Sequence, residues 1–142
     1  MRASILIGAV CAALSATSVS ADIRITNDPG GIIDHHVQMF AGLRSSGERV
    51  IIDGRCLSSC TLVLGMLPPD RVCVTRRAVL GFHAAWIPGQ NGRPIRSESG
   101  TATMWNIYPA HIRRWITNRG GLTPKMLMLR GNELASMVRA CR

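Results

Sequence analysis

Two periods of hydrophobic and polar residues run through this chain. Short runs rich in β-branched residues, at 23–26 (Ile-Arg-Ile-Thr), 50–52 (Val-Ile-Ile) and 72–75 (Val-Cys-Val-Thr) resumed at 79–82 (Val-Leu-Gly-Phe), have strand character and are bounded by turn residues. Between the first two, residues 32–43 place Ile33, Val37, Phe40 and Ala41 at helical spacing. Residues 58–66 predict a short buried helix, closed by Pro68-Pro69. The result is a βαβ unit followed by a further helix and strand. Such a unit predicts a mostly parallel sheet with helices packed outside it, an α/β fold.

Beyond Phe82 the pattern changes. Residues 88–100 are polar and carry Gly89, Gly92, Pro94 and Gly100, which predicts a surface loop or lid. Residues 101–118 predict helix, interrupted or restarted at Pro109 and stopped by Gly120-Gly121. Thr123-Pro124 suits the cap and first turn of a final short helix, with Gly131-Asn132 separating it from a last turn near Cys141. No internal repeat or second domain is visible, so the C-terminal part is expected to be helical.

The N-terminus has the three parts of an export signal: Arg2, an apolar run at 5–14, and the small-residue site Val19-Ser20-Ala21. Cleavage after Ala21 divides the chain into a signal peptide, 1–21, and one α/β domain, 22–142. Cys11 falls in the discarded part, without the branched residue three positions upstream that marks a lipidated cysteine. The 5–14 run is half the length of a membrane span and no later stretch is longer, so no transmembrane anchor is expected after cleavage. A periplasmic or secreted location follows.

Composition narrows the class further. With 46% apolar and 18% charged residues the chain is globular rather than disordered, collagen-like or coiled. Without Arg2 the cations fall from 17 to 16 against 8 acids, and all but Lys125 are arginine. These arginines are spread from Arg24 to Arg142 rather than gathered in a stripe with aromatics, so nucleic acid is not an expected partner. Cys56, Cys60, Cys73 and Cys141 remain, an even number in an oxidising compartment, and they allow two bridges in any of three connectivities. Zinc is disfavoured because Cys56-x3-Cys60 has no paired partner motif. His35 and His36 point about 100° apart on a helix and make a poor metal pair. His111 lies on a later helix among arginines. Neither metal nor cofactor is expected.

Three segments carry candidate chemistry. Asp28-Pro29-Gly30-Gly31 sits where a strand meets a helix, and its glycines allow positive φ and amides that point at an anion. It would equally serve as a plain tight turn. Gly54-Arg55-Cys56-Leu57-Ser58-Ser59-Cys60 puts Ser58 at the next strand-to-helix turn, at the carboxyl edge of the sheet where α/β sites form. Serine there also suits a helix cap. Gly81-Phe82-His83-Ala84 ends the following strand with an imidazole, the base a serine nucleophile needs.

In order and spacing these segments resemble the Clp-type serine peptidases and their crotonase-fold relatives, in particular an exported branch with a Cys-x-Ser-x-Cys motif. The resemblance spans residues 23–84. It implies a small Clp/crotonase-like fold, truncated at the N-terminus because few residues separate the cleavage site from Gly30. It also implies Ser58 as nucleophile, His83 as general base, and the amides of Gly31 and Ser59 as oxyanion hole. The family's third residue, an acid, would fall near Met128 or Leu129, where there is no carboxylate; Asn132 and Glu133 are the substitutes within reach in sequence. A disulfide from the serine turn to Cys73 would lock nucleophile and base elements together. The implied function is an exported, peptidase-like serine hydrolase using a Ser-His dyad or degenerate triad on peptide or protein substrates, with homo-oligomers as in the family. The alternative is an inactive member serving as a periplasmic binding or assembly module.

Overall fold

The β-branched runs become the strands of one sheet. The computed structural model describes residues 21–142, so the expected signal segment with Cys11 lies outside the described residues, apart from Ala21. Strand β1 (Asp22–Asp28) leads to helix α1 (Ile33–Ser46), and β2 (Arg49–Leu57) returns parallel to β1. A 3-10 turn at Ser58–Leu62 and the short helix α2 (Val63–Met66) follow. Then β3 (Val72–Val74) and β4 (Val79–Phe82) both lie parallel to β2, β3 along its first half and β4 along its second. The two are in effect one strand with a break at residues 75–78.

β1 and β2 stay paired despite a register shift between Ile25 and Asn27. Gly54 is why the shift fits: a Cβ there would lie 1.9 Å from the Thr26 carbonyl oxygen, so any other residue would push the strands apart. The break opposite β2 is filled by charge. Asp53, only 6% exposed, accepts hydrogen bonds from Thr75 Oγ1 (2.6 Å), Arg24 Nη1 (2.8 Å) and the Arg77 guanidinium.

The later chain departs from its sequence pattern twice. Residues 88–100 are not an open loop: β5 (Trp86–Pro88) and β6 (Pro94–Arg96) pair as an antiparallel hairpin, and helix α3 (Glu98–Ile107) has already begun before Thr101. Ser97 caps it, accepting from the Gly100 amide at 3.1 Å. Pro109 does divide α3 from α4 (Ala110–Thr117), and Gly120 and Gly121, with φ of 92° and 82°, end it. No helix starts at Thr123-Pro124. Instead β7 (Leu127–Arg130) adds antiparallel to β4, and α5 (Gly131–Ala135) follows. The open edge of β4 and the full burial of Leu129 against the core decide in favour of strand.

The sheet order is β1-β2-β4-β7, with β3 beside β2. Phe40, Val50, Ile52, Leu80, Phe82, Ile112 and Ile116 are fully buried in one core. Phe82 meets Tyr108 edge-on at 5.4 Å and Trp115 at 5.7 Å. Fully burying such a side chain stabilises by about 2–3 kcal/mol. This is a mixed α/β domain with a largely parallel sheet, and among the described residues no helix is long and apolar enough to cross a membrane.

Two disulfides form, Cys56–Cys60 and Cys73–Cys141. The expected bridge from the serine turn to Cys73 is not made. Cys73 pairs with Ile51, five residues before Cys56 and so roughly 17 Å back along β2, well beyond disulfide reach. Its partner arrives from the C-terminal tail, which runs beside β3 through the bonds Val74 N to Arg139 O (2.9 Å) and Cys141 N to Val74 O (3.0 Å).

Candidate active site

Strand register brings the three candidate segments to one edge. Asp28 pairs with Cys56 and Leu57 with Gly81, so the turn after β1, Ser58 after β2 and His83 after β4 all leave the sheet at its carboxyl end. Brought together there, Gly30, Gly31, Ser58 and His83 line a cleft of about 690 Å³. This is where open α/β sheets bind ligands.

Ser58 has φ +56°, the left-handed region that non-glycine residues rarely occupy. Leu57, not Ser58, occupies the cap position of the 3-10 turn, so the plain capping role does not explain the serine, which is half-buried and lines the cleft. The strained turn is stabilised behind Ser58, where Thr61 Oγ1 donates to the Ser58 carbonyl at 2.6 Å and meets the Tyr108 hydroxyl at 2.8 Å. Burial pushes the Tyr108 phenol well above its usual range, so it stays neutral. The Gly30 turn is pressed onto this elbow: a Cβ on Gly30 would lie 2.6 Å from Ser58 Cβ and 3.2 Å from the Ser59 amide nitrogen.

His83 is buried to 9% exposure and lines the same cleft. Burial lowers its pKa below the ordinary histidine value, and a backbone hydrogen bond at Ala84 opposes the shift in part. Burial thus disfavours the protonated imidazole. The chain just past it is fixed by Ala84 N to Thr123 O (2.8 Å) and Ala85 N to Thr101 Oγ1 (3.0 Å). Ser58 and His83 line one cleft without a direct hydrogen bond between them.

The glycine amides have partners already. Gly31 N donates to Ser59 Oγ at 2.9 Å, and Gly30 N donates to Asp28 Oδ1 at 2.8 Å. Gly31 is thus not a free oxyanion donor in this structure, contrary to the expectation from sequence. Ser59 itself is fully buried, and its hydroxyl lies 3.0 Å from His36 Nδ1, whose Nε2 lies 3.1 Å from Asp28 Oδ2. His36 therefore belongs to a network that sequence reasoning missed, while His35 and His111 are exposed. The available signal was the Asp-x-Gly spacing of Asp28 and Gly30, which marks a side-chain-stabilised turn.

Asn132 and Glu133 do not approach His83. Because β7 runs antiparallel to β4, Leu127 pairs with Phe82 beside the histidine and Arg130 with Val79 at the far end, so α5 leaves from the opposite edge of the sheet. Both side chains are exposed, and Glu133 is taken by an ion pair with Arg119. Among the described residues no group of His, Cys, Asp and Glu could hold a metal. The cleft wall also includes Trp86 and Ile87 of the unforeseen hairpin, with Ile32, Met104 and Pro88. Besides His83, the only ionisable side chain lining it among the described residues is Asp34, in the first turn of α1.

No protein-family model matches the chain, and no curated protein matches its sequence. Solved structures do share its fold. One, described only as "Crystal structure of an Enzyme", superposes with a TM-score of 0.55 at 10% identity, over 82% of this chain and 73% of that one. At that identity the likeness concerns architecture alone, since one fold hosts many chemistries.

Proposed function

We propose that this chain is an exported serine hydrolase, with Ser58 as nucleophile and His83 as general base. The observation that carries the reading is the strained, left-handed Ser58, held at the sheet's carboxyl edge in one cleft with an imidazole whose protonation burial disfavours. Ser58 Oγ would attack an acyl carbon while His83 takes its proton. The imidazolium then returns the proton to the leaving group, and water repeats the sequence on the acyl-enzyme. The Ser59 amide, the next along the turn, is the natural oxyanion donor. A wall built from Trp86, Ile87, Ile32 and Met104 favours an uncharged apolar group beside the scissile bond, as in a peptide with a bulky apolar residue. The order of the three motifs, similar to that of Clp-type peptidases, supports the same chemistry. Two disulfides support export to the periplasm or beyond.

A fluorophosphonate serine probe tests the proposal. It should label Ser58, and labelling should vanish in Ser58→Ala and fall steeply in His83→Ala. A protein that binds apolar peptides with equal affinity before and after Ser58→Ala, and never labels, would instead be a binding module. That second reading is favoured by one observation: the Gly30 and Gly31 amides are satisfied within the protein.

A further inference from the structure

The structure assigns a positioning role to Asp28, His36 and Ser59: together they clamp the Gly30–Gly31 turn against the Ser58 elbow. Its consequence for Ser58 reactivity rests on the hydrolase reading above; the clamp itself does not.

The three residues come from separate elements, the end of β1, the end of the first turn of α1 and the start of the 3-10 turn after β2. They close a ring. Asp28 Oδ2 meets His36 Nε2 at 3.1 Å, and His36 Nδ1 meets Ser59 Oγ at 3.0 Å. Ser59 Oγ then accepts from Gly31 N at 2.9 Å and lies 3.1 Å from Gly31 O, while Asp28 Oδ1 accepts from Gly30 N at 2.8 Å. One hydroxyl thus touches both polar groups of Gly31 across 28 residues of chain. His36 is further packed by Phe40, one turn along α1, at a ring separation of 5.8 Å.

Proton counting shows why the clamp is robust. With the ring proton on Nε2 and given to Asp28, Nδ1 accepts the Ser59 hydroxyl proton. When the ring carries both protons, Nδ1 donates to Oγ and the hydroxyl proton turns to the Gly31 carbonyl. In either state Oγ still has a lone pair for the Gly31 amide. Ser59 is fully buried, so its hydroxyl cannot reach a substrate in the cleft and acts only through the turn it holds. Removing it leaves the Gly31 amide, the Gly31 carbonyl and His36 Nδ1 competing for water at a half-buried site.

The test is amide hydrogen exchange at Gly30 and Gly31 by NMR, with fluorophosphonate labelling rates, on the oxidised protein. Ser59→Ala and His36→Phe, the latter keeping ring volume, should each speed Gly31 exchange at least ~10-fold and slow Ser58 labelling at least ~10-fold. Ser59→Thr, which keeps the hydroxyl, should restore both. Leu134→Ala, in the core at α5, should lower Tm while leaving labelling within about twofold, separating positioning from general destabilisation. If Ser59→Ala does not fold, Asp28→Asn, at the half-exposed end, provides the same comparison with a smaller loss. Unchanged Gly31 exchange in Ser59→Ala and His36→Phe would overturn the clamp, as would faster labelling in either variant. A wild-type protein that never labels but whose Gly31 exchange accelerates in these variants would end the hydrolase reading and leave the clamp standing.

Discussion

Gly30 and Ser58 are so close that a Cβ on the glycine would sit 2.6 Å from the Cβ of the serine. It would also lie 2.6 Å from the Leu57 carbonyl oxygen, and Gly30 has φ +85°. Gly30→Ala therefore carries two costs: about 1–2 kcal/mol for the left-handed backbone and a backbone overlap that can be relieved only by moving the elbow. Gly47, with φ +84° and nothing within 4 Å of its notional Cβ, carries the first cost alone. Thermal unfolding of Gly47→Ala should show a drop of several degrees with normal Ser58 labelling. Gly30→Ala should lose more in Tm and at least ~10-fold in labelling rate. Equal labelling in the two variants would mean that the turn does not shape the site.

His83 should impose a pH profile on Ser58. Burial lowers its pKa, so the free base persists further into acid than an exposed histidine would allow. Labelling rate against pH should rise to a plateau with a midpoint below the ordinary histidine value, and His83→Ala should lower the plateau by about 10²–10⁴. The same shift links to folding. The unfolded chain binds a proton at a higher pH than the folded one, so this part of the stability is complete above the ordinary histidine pKa and is lost as pH falls through the lowered one. His83→Gln should flatten both curves in that window.

The β-branched runs were legible because the central strands β2, β3 and β4 are largely buried and need apolar residues, while the edge strand β1 alternates Ile with polar residues; the order of turn, serine and histidine carried over directly into three strand ends at one edge. β7 was not legible: Leu-Met-Leu-Arg after Thr-Pro fits a helix as well as a strand, and only the unpaired edge of β4 decides. The hairpin had a signal in Asn91-Gly92, whose positive φ values of 60° and 72° help reverse the chain in the connection between Pro88 and Pro94, but the surrounding Gly and Pro residues dilute it. Ser59, His36 and Asp28 carry no common spacing in sequence. They meet because β1, α1 and β2 converge, which no local pattern encodes.

The two disulfides should separate in their effects. Cys73–Cys141 spans 68 residues, and loop-closure entropy assigns it about 4 kcal/mol, against about 2 kcal/mol for Cys56–Cys60, which spans 4. Replacing Cys73 and Cys141 by alanine should lower Tm by on the order of 15 °C. Replacing Cys56 and Cys60 should cost about half as much in Tm but more in Ser58 labelling, because that bridge brackets the elbow. Calorimetry and labelling on both double variants check the ranking, and an inverted order of Tm losses would contradict the loop-length account.

Asp53 should dominate acid unfolding. Its carboxyl is held well below the usual carboxylate range, first by the Arg77 guanidinium, then by Thr75 and Arg24, against the opposing effect of burial. The unfolded chain therefore takes up a proton before the folded one does as pH falls. Stability from this group is complete above the ordinary carboxylate pKa and is lost on descending toward the folded value. Asp22, paired with Arg49 at 2.8 Å, is shifted in the same direction but is largely exposed, so solvent screens its pair. Asp53 sits instead in the break between β3 and β4, where its loss would leave the Arg77 and Arg24 cations facing each other without their anion. Circular dichroism against pH should show Asp53→Asn reducing stability at neutral pH and weakening its decline below pH ~4, with Asp22→Asn nearly unchanged. If Asp22→Asn proved the more damaging of the two, the Asp53 cluster would not be what ties the broken strand to β2.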